Sequence, residues 1–288
     1  MLVTGSELLL DAQKRGYAVG AFNLNNMEII QAIIEAAEET NSPVILQASQ
    51  GGLKYAGIEY IAAVGKLAAE YATVPVALHL DHGTDFGQIM GCIRNGFSSV
   101  MIDASQYPLE ENIRLTKKVI EVAHAVGVTV EAELGKIGGT EDDITVDEKD
   151  ATFTDPQEAK RFVEATNVDY LAVAVGTAHG VYQGEPKLDF DRIKAIRELI
   201  DAPIVLHGSS GVPYDALRKA ISLGVCKINI DTDIRISFAN AVKDVVKNSP
   251  DEYDPRKLLA PAREAMKETI KEKMEVFGSV GKGWLRRD

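Results

Sequence analysis

The chain has 288 residues, 45% of them hydrophobic and 26% charged, as in an ordinary folded globular protein. No apolar run approaches the roughly 20 residues of a membrane span, and the amino-terminal MLVTGSELLLDAQKRG has neither a long apolar stretch nor a small-residue cleavage site of the secretory type. The formal net charge of −12 disfavours nucleic acid and anionic membranes as partners, although a local site can reverse that field for a small anion.

Along the chain one unit recurs: a short run rich in Val, Ile and Ala, a polar or glycine turn, then a longer amphipathic stretch. The runs are YAVGAF (17–22), PVILQA (43–48), PVALHL (75–80), SVMIDA (99–104), VTVEAEL (128–134), YLAVAV (170–175), PIVLHG (203–208) and CKINID (226–231). Strands this continuously apolar are expected where a parallel sheet is covered on both faces. Helical spacing appears between them, as with Ile29, Ile30, Ile33, Ile34 and Ala37 in 27–40, and again over 109–126 and 214–223. Eight alternations predict an α/β fold, a closed (β/α)8 TIM barrel. The rival doubly wound sheet would normally carry a glycine-rich nucleotide fingerprint after an early strand, and none is present. The link from 135 to 154 is long for a barrel loop, and structureless links of that length are usually functional or disordered. From residue 249 the pattern turns wholly helical. The expected organisation is one domain over 1–288: a barrel to about 248, then a helix pair appended over 249–288. Cys92 and Cys226 lie inside apolar segments without metal-type neighbours and read as buried free thiols in a reducing, cytoplasmic setting.

Four of the five histidines, His79, His82, His179 and His207, fall at or near strand ends, while His124 lies in a helix and reads as structural. A single strand-end histidine is usually just hydrogen-bonded. Three on the carboxyl ends of three strands point to an open metal site, because that rim is where barrel active sites form and three imidazoles leave a fourth position for substrate. Carboxylates share the rim: Asp81 beside His82, Asp103 in MIDAS, and Glu131 and Glu133, which strand alternation puts on one face. Metal ligand, supporting group and acid–base catalyst are not distinguishable among them from the sequence. The turns GTAHG, HGSSG and NIDTD follow the sixth, seventh and eighth runs. Small residues let backbone amides approach an anion, and the loops after strands 7 and 8 are the usual barrel phosphate site.

In order along the chain, LHLDHG, SVMIDAS, VEAELGKIGG with its EDD, the His179-Gly180 turn, LHGSSG, KINIDTD and DPRK resemble the class II fructose-bisphosphate aldolases, over about residues 2–281. The likeness is strongest to the bacterial branch that also holds tagatose-bisphosphate aldolases. It implies reversible, zinc-dependent cleavage of fructose 1,6-bisphosphate to dihydroxyacetone phosphate and glyceraldehyde 3-phosphate in glycolysis and gluconeogenesis, with tagatose 1,6-bisphosphate as the alternative substrate. It implies Zn2+ on His82, His179 and His207, with Asp103 and Glu133 around an alternative metal position and room for a monovalent cation. Asp81 matches the acid–base serving the C4 hydroxyl, and Glu141, in the long link, the residue moving the C3 proton. Gly180, Gly208, Ser209, Ser210, Asn229, Ile230, Asp231 and Thr232 match segments holding the first phosphate. Ser49, Arg256 and Arg235 match residues of the distal phosphate, Arg235 reaching in from a neighbour in a homo-oligomer, dimer or tetramer. Two positions depart from the family pattern: Gln183 stands where many relatives have a lysine, and HGSSG where several have HGGTG.

Three rival readings follow from the same residues. A Schiff-base aldolase needs a desolvated interior lysine, and Lys227, the candidate, has no acidic pattern around it in the sequence. A zinc hydrolase accounts for the histidines but not for paired phosphate loops. A noncatalytic sugar-phosphate-binding protein needs no acids and metal together.

Overall fold

The computed structural model describes residues 1–141, 144–147, 151–182 and 184–284; the side chains of Glu141 and Ile144 fall outside that description. In chain order the elements are α1 (Gly5–Arg15), β1 (Val19–Asn23), α2 (Met27–Glu39), β2 (Val44–Ser49), α3 (Gln50–Ala56), α4 (Ile58–Tyr71), β3 (Val76–Asp81) and α5 (Phe86–Arg94). Next come β4 (Ser99–Ile102), α6 (Leu109–Ala125), β5 (Thr129–Leu134), β6 (Gly138–Glu141), β7 (Ile144–Val146), α7 (Pro156–Thr166), β8 (Tyr170–Val173) and β9 (Ala178–His179). The rest are α8 (Phe190–Leu199), β10 (Ile204–Leu206), α9 (Tyr214–Ser222), β11 (Val225–Ile230), α10 (Thr232–Asn248) and α11 (Pro255–Phe277).

Eight parallel strands close in the order β1-β11-β10-β8-β5-β4-β3-β2, the predicted (β/α)8 barrel, and each of the eight apolar runs contributes one. Every residue of these strands is buried, because helices cover the outside and side chains fill the inside. Leu46, Leu78, Val100, Val130, Leu171, Leu206 and Ile228 point outward into the helix layer. The lower interior is apolar: Val19, Ala21, Ile45, Ala77, Ala172, Val205 and Cys226 pack with Leu8, Leu9 and Ala12 of α1. Helix α1 therefore plugs the amino-terminal end of the barrel. Its start is a reciprocal cap in which Thr4 accepts from the Glu7 amide while the Glu7 carboxylate accepts from the Thr4 amide. Both cysteines are free and buried, as expected.

Two expectations are corrected. Among the described residues, the segment beyond residue 249 forms one helix rather than a pair, α11, running through Pro261. Proline inside a helix removes a hydrogen bond and costs about 3 kcal/mol. Here Ala262, Met266, Ile270 and Met274 are buried along the same helix, and Arg263 and Lys267 pair with Glu35 and Glu39 of α2. That packing holds the helix through the proline. The 135–154 link is also not structureless. Backbone bonds between Lys136 and Thr152 close its base (2.9 and 3.1 Å), and β6 and β7 form an antiparallel hairpin. Strand β9 then adds to β6 in parallel, with Gly139 opposite His179. No helix among the described residues is long and apolar enough to cross a membrane.

Gly139 has φ +97, and a Cβ there would collide with the His179 backbone. Gly139→Ala should therefore part β6 from β9 and leave the barrel intact. Hydrogen–deuterium exchange should rise at 138–141 and 178–179 and stay unchanged in the barrel strands.

Candidate functional site

The carboxyl ends of the barrel strands gather the predicted residues. His82 follows directly on β3 with φ +48, a left-handed backbone that is uncommon for a residue with a side chain and is found preferentially at functional sites. His179 is carried by β9 and His207 follows β10. The His82 and His207 ring centroids are 4.7 Å apart, those of His82 and His179 5.0 Å, and His82 Nε2 faces His207 Nδ1 at 2.9 Å. Among the described residues, two triads bring a ligand atom from each member within 4.8 Å of one another: His82, His179 and His207, and His82, Asp103 and Glu133.

The donor chemistry fits a metal. His82 Nδ1 lies 2.9 Å from Asp103 Oδ2, and His207 Nε2 lies 2.7 Å from Glu131 Oε1. Each ring thus turns one nitrogen to a carboxylate and the other to the shared centre, as metal-bound histidines do. Burial lowers the His207 pKa, so the ring is neutral as a ligand must be. The two carboxylates of the second triad shift in opposite directions. Burial alone would raise Asp103, but the hydrogen bond and charge of His82, with Ser105, hold it at about 2. Glu133 is pushed well above the usual carboxylate range by burial and by the Asp103 carboxylate, and its buried Oε2 has no hydrogen-bond partner. A cation between them would remove both penalties.

Asp81, at the end of β3, is fully buried and gripped by amides. Gln47 Nε2 donates to its Oδ2 at 3.0 Å, Asn23 Nδ2 to the same oxygen at 3.4 Å, and Asn229 Nδ2 to its Oδ1 at 3.2 Å. The sequence reading had named Asn229 but missed Asn23 and Gln47. Gln47 is a polar residue inside an apolar run and Asn23 directly follows one, and that was the available signal. Glu131 is also more than a rim acid. Its Oε2 is 2.7 Å from Lys227 Nζ and 3.4 Å from His79 Nε2, with all three side chains essentially inaccessible. Lys227 therefore has an acidic partner that the sequence did not reveal. Its amine is committed to Glu131 beneath the histidines.

A cleft of about 200 Å³ opens beside this cluster, lined among others by Asn23, Thr140, His179, Gly180, Gly208, Ser209, Ser210, Asn229, Asp231, Thr232 and Arg235. Ser210 Oγ accepts from the amides of Asp231 and Asp233 at 3.3 Å, ordering the first turn of α10 with Thr232 at its start. A 17-residue helix whose amino terminus faces a cleft suits an anion. Tyr182 Oη donates to the Gly208 carbonyl and accepts from the Ala178 amide, both at 2.7 Å, which ties the loops after β8 and β10 together. Ile230 ends β11 with its side chain buried.

Ser49, buried at the end of β2 in register with Asp81, caps α3 through Gly52. Arg235 lines the cleft and pairs with Asp231 at 2.7 Å. Arg256 stands apart: it opens α11, is 89% exposed, and pairs with Asp254. Glu141 ends β6, and its side chain and Gln183 lie outside the described residues. His124, as expected, is peripheral, with Nε2 2.7 Å from Asp169.

The family profile described as fructose-bisphosphate aldolase class-II matches residues 3–282. The chain is 52% identical to a fructose-bisphosphate aldolase of Thermus caldophilus, over 98% of this chain and all of that one. It is 51% identical to a probable fructose-bisphosphate aldolase of Bacillus subtilis, over 96% and 98%. Among solved structures, the YdjI aldolase of Escherichia coli K12 superposes with a TM-score of 0.87 at 39% identity, covering 99% of this chain and all of that one. The fructose-bisphosphate aldolase of Campylobacter jejuni gives 0.82 at 28%, covering 98% and 97%.

The clustered imidazoles make a direct expectation. Equilibrium dialysis should find one tightly bound Zn2+ per chain, and replacing His82, His179 or His207 with Ala should weaken binding by at least about 100-fold while far-UV circular dichroism stays unchanged.

Proposed function

The chain belongs to the class-II fructose-bisphosphate aldolases, a family of aldehyde-lyases, and from that premise we propose that it cleaves fructose 1,6-bisphosphate reversibly, with zinc, into dihydroxyacetone phosphate and glyceraldehyde 3-phosphate. The observation that carries this reading is the convergence of His82, His179 and His207 beside the amide-held Asp81 and the anion-ready start of α10.

When bound, the metal supplies a Lewis acid that draws electron density from the substrate ketone. The chain's own residues do the rest. Asp81 takes the proton of the C4 hydroxyl; the C4–O electrons form the aldehyde, the C3–C4 bond breaks, and its electron pair stays on C3 next to the ketone. The Gln47, Asn23 and Asn229 amides aim the Asp81 carboxylate for that transfer. Glu141, from the hairpin, returns a proton to C3. Gly180, Gly208, Ser209, Ser210 and the 229–232 turn hold the first phosphate through backbone amides and the α10 terminus. Ser49, Arg256 and, from a neighbouring chain, Arg235 take the distal phosphate, and fixing both ends of the substrate is itself a large part of the rate. Asp103 orients His82, and with Glu133 it offers an alternative metal position.

The domain reading, one unit over 1–288, is supported by α11 docking on α2 and by the Ala18 amide bonding to Phe277 O at 3.0 Å. A homo-oligomer, dimer or tetramer, is supported by an exposed apolar stripe on α4: Tyr60, Val64, Leu67 and Tyr71, at helical spacing, and the cytoplasm is its proposed location.

Two sets of variants test the roles. Asp81→Ala should lower fructose 1,6-bisphosphate cleavage by about 10²- to 10⁴-fold and leave exchange of the C3 proton of dihydroxyacetone phosphate largely intact, whereas Glu141→Ala should slow that exchange by a similar factor. Equal loss of exchange in both would merge the two roles. A charge-assisted contact to phosphate contributes about 1.5–3 kcal/mol. Arg235→Ala should therefore raise KM for the bisphosphate far more than for a 1-phosphate analogue, and equal losses would remove Arg235 from the distal phosphate. Steady-state rates on tagatose 1,6-bisphosphate, measured alongside, decide the C4 epimer.

A further inference from the structure

The mechanism leaves one buried cluster without a task. Glu131 sits on the inward face of β5, two residues deeper than Glu133, and its two oxygens point in different directions. Oε1 lies 2.7 Å from His207 Nε2; Oε2 lies 2.7 Å from Lys227 Nζ and 3.4 Å from His79 Nε2. A carboxylate oxygen accepts and does not donate, so His207 must carry its proton on Nε2. An imidazole protonated there presents its lone pair on Nδ1, and Nδ1 is the atom that faces His82 Nε2 at 2.9 Å. His82 is set the opposite way: Asp103 Oδ2 lies 2.9 Å from its Nδ1, which leaves Nε2 for the shared centre.

We infer that Glu131 is a positioning residue: it fixes the tautomer and ring angle of His207 so that Nδ1 is the ligand atom, with Lys227 balancing its charge from below. A counter-ion for Lys227 alone would need only one oxygen, and nothing would direct the other onto a ring nitrogen. The rest of the cluster supports the carboxylate. His79 Nδ1 bonds Ser99 Oγ at 2.6 Å, and Ser99 in turn meets the Tyr170 hydroxyl. The inference rests on the reading of His82, His179 and His207 as a metal centre, but its first test needs no metal.

In metal-free protein carrying 15N-histidine, long-range 1H–15N correlation reports which ring nitrogen holds the proton, and the His207 signals are assigned by their loss in His207→Ala. Protonation at Nε2 is expected; a His207 protonated at Nδ1 overturns the proposal outright. The second test removes the whole pair. Glu131→Leu with Lys227→Met replaces two opposite charges by apolar groups of similar size, a change buried pairs often tolerate. Competition with a chromophoric chelator should show this double variant binding Zn2+ about 10- to 100-fold more weakly than the parent. Glu131→Gln, which keeps a neutral acceptor, should fall between. The visible spectrum of the Co2+-loaded double variant should also shift, reporting an altered ligand set. If the double variant folds and binds Zn2+ as tightly as the parent, Glu131 serves only Lys227 and the proposal fails. If His207→Ala leaves parental Zn2+ binding intact, the metal-centre reading fails instead, and the tautomer measurement still decides the role of Glu131.

Discussion

An ionised carboxylate moved from water into a protein interior costs several kcal/mol unless charges and hydrogen bonds compensate for it on the spot. Glu131 meets that cost in the middle of the barrel, fully buried, with Lys227 on one oxygen and His207 on the other. The cost also explains how the interior is layered. Below Glu131 the barrel is apolar and sealed by α1; above it the strand ends turn polar and open into the cleft. Small barrels usually fill their interior with branched aliphatic side chains. Here the middle layer is polar, and each polar group in it constrains the orientation of the next. Flexible surface side chains would not hold three imidazoles at one point in this way.

The same logic governs charge at the site. Among the rings that face the centre, His207 is fully buried, and burial favours its neutral form. Asp103 stays ionised because His82 meets it, while Glu133 is driven toward its protonated form by burial and by the Asp103 carboxylate, which outweigh His82 and Ser105. The chain as a whole carries −12, yet the cleft that would take a phosphate is edged by the start of α10 and by Arg235, which offsets the Asp231 carboxylate beside it. Local dipoles and one guanidinium act within a few ångströms, where the screened global charge counts for little.

His179 shows how a loop is made part of a rigid site. It does not sit on a barrel strand. Strand β9 holds it by pairing with β6, and the hairpin that contains β6 is anchored at its base by Lys136 and Thr152. The Tyr182 hydroxyl then joins the backbone just before His179 to that just after His207. Two glycines with left-handed φ, Gly139 and Gly208, allow the backbones to approach where a Cβ would collide with residues 178 and 179.

Much of this was already written in the order of residues. Eight apolar runs alternating with helical stretches imply the barrel, because the burial of both strand faces is a local pattern that every run repeats. The histidines and Asp81 were legible for the same reason: polar groups at the ends of apolar strands have few places to go except the barrel rim. Helix α1 was signalled by Thr4 and Glu7 and was passed over. Pairings between distant strands were not legible. Glu131 and Lys227 lie 96 positions apart, and no spacing rule says that β5 and β11 point those two side chains at each other across the barrel. Gln47 and Asn23 on Asp81, and the hairpin under His179, belong to the same class. Closure of the barrel converts inward-facing positions on separate strands into neighbours; the sequence specifies which residues face inward, and only the closed geometry decides which of them meet.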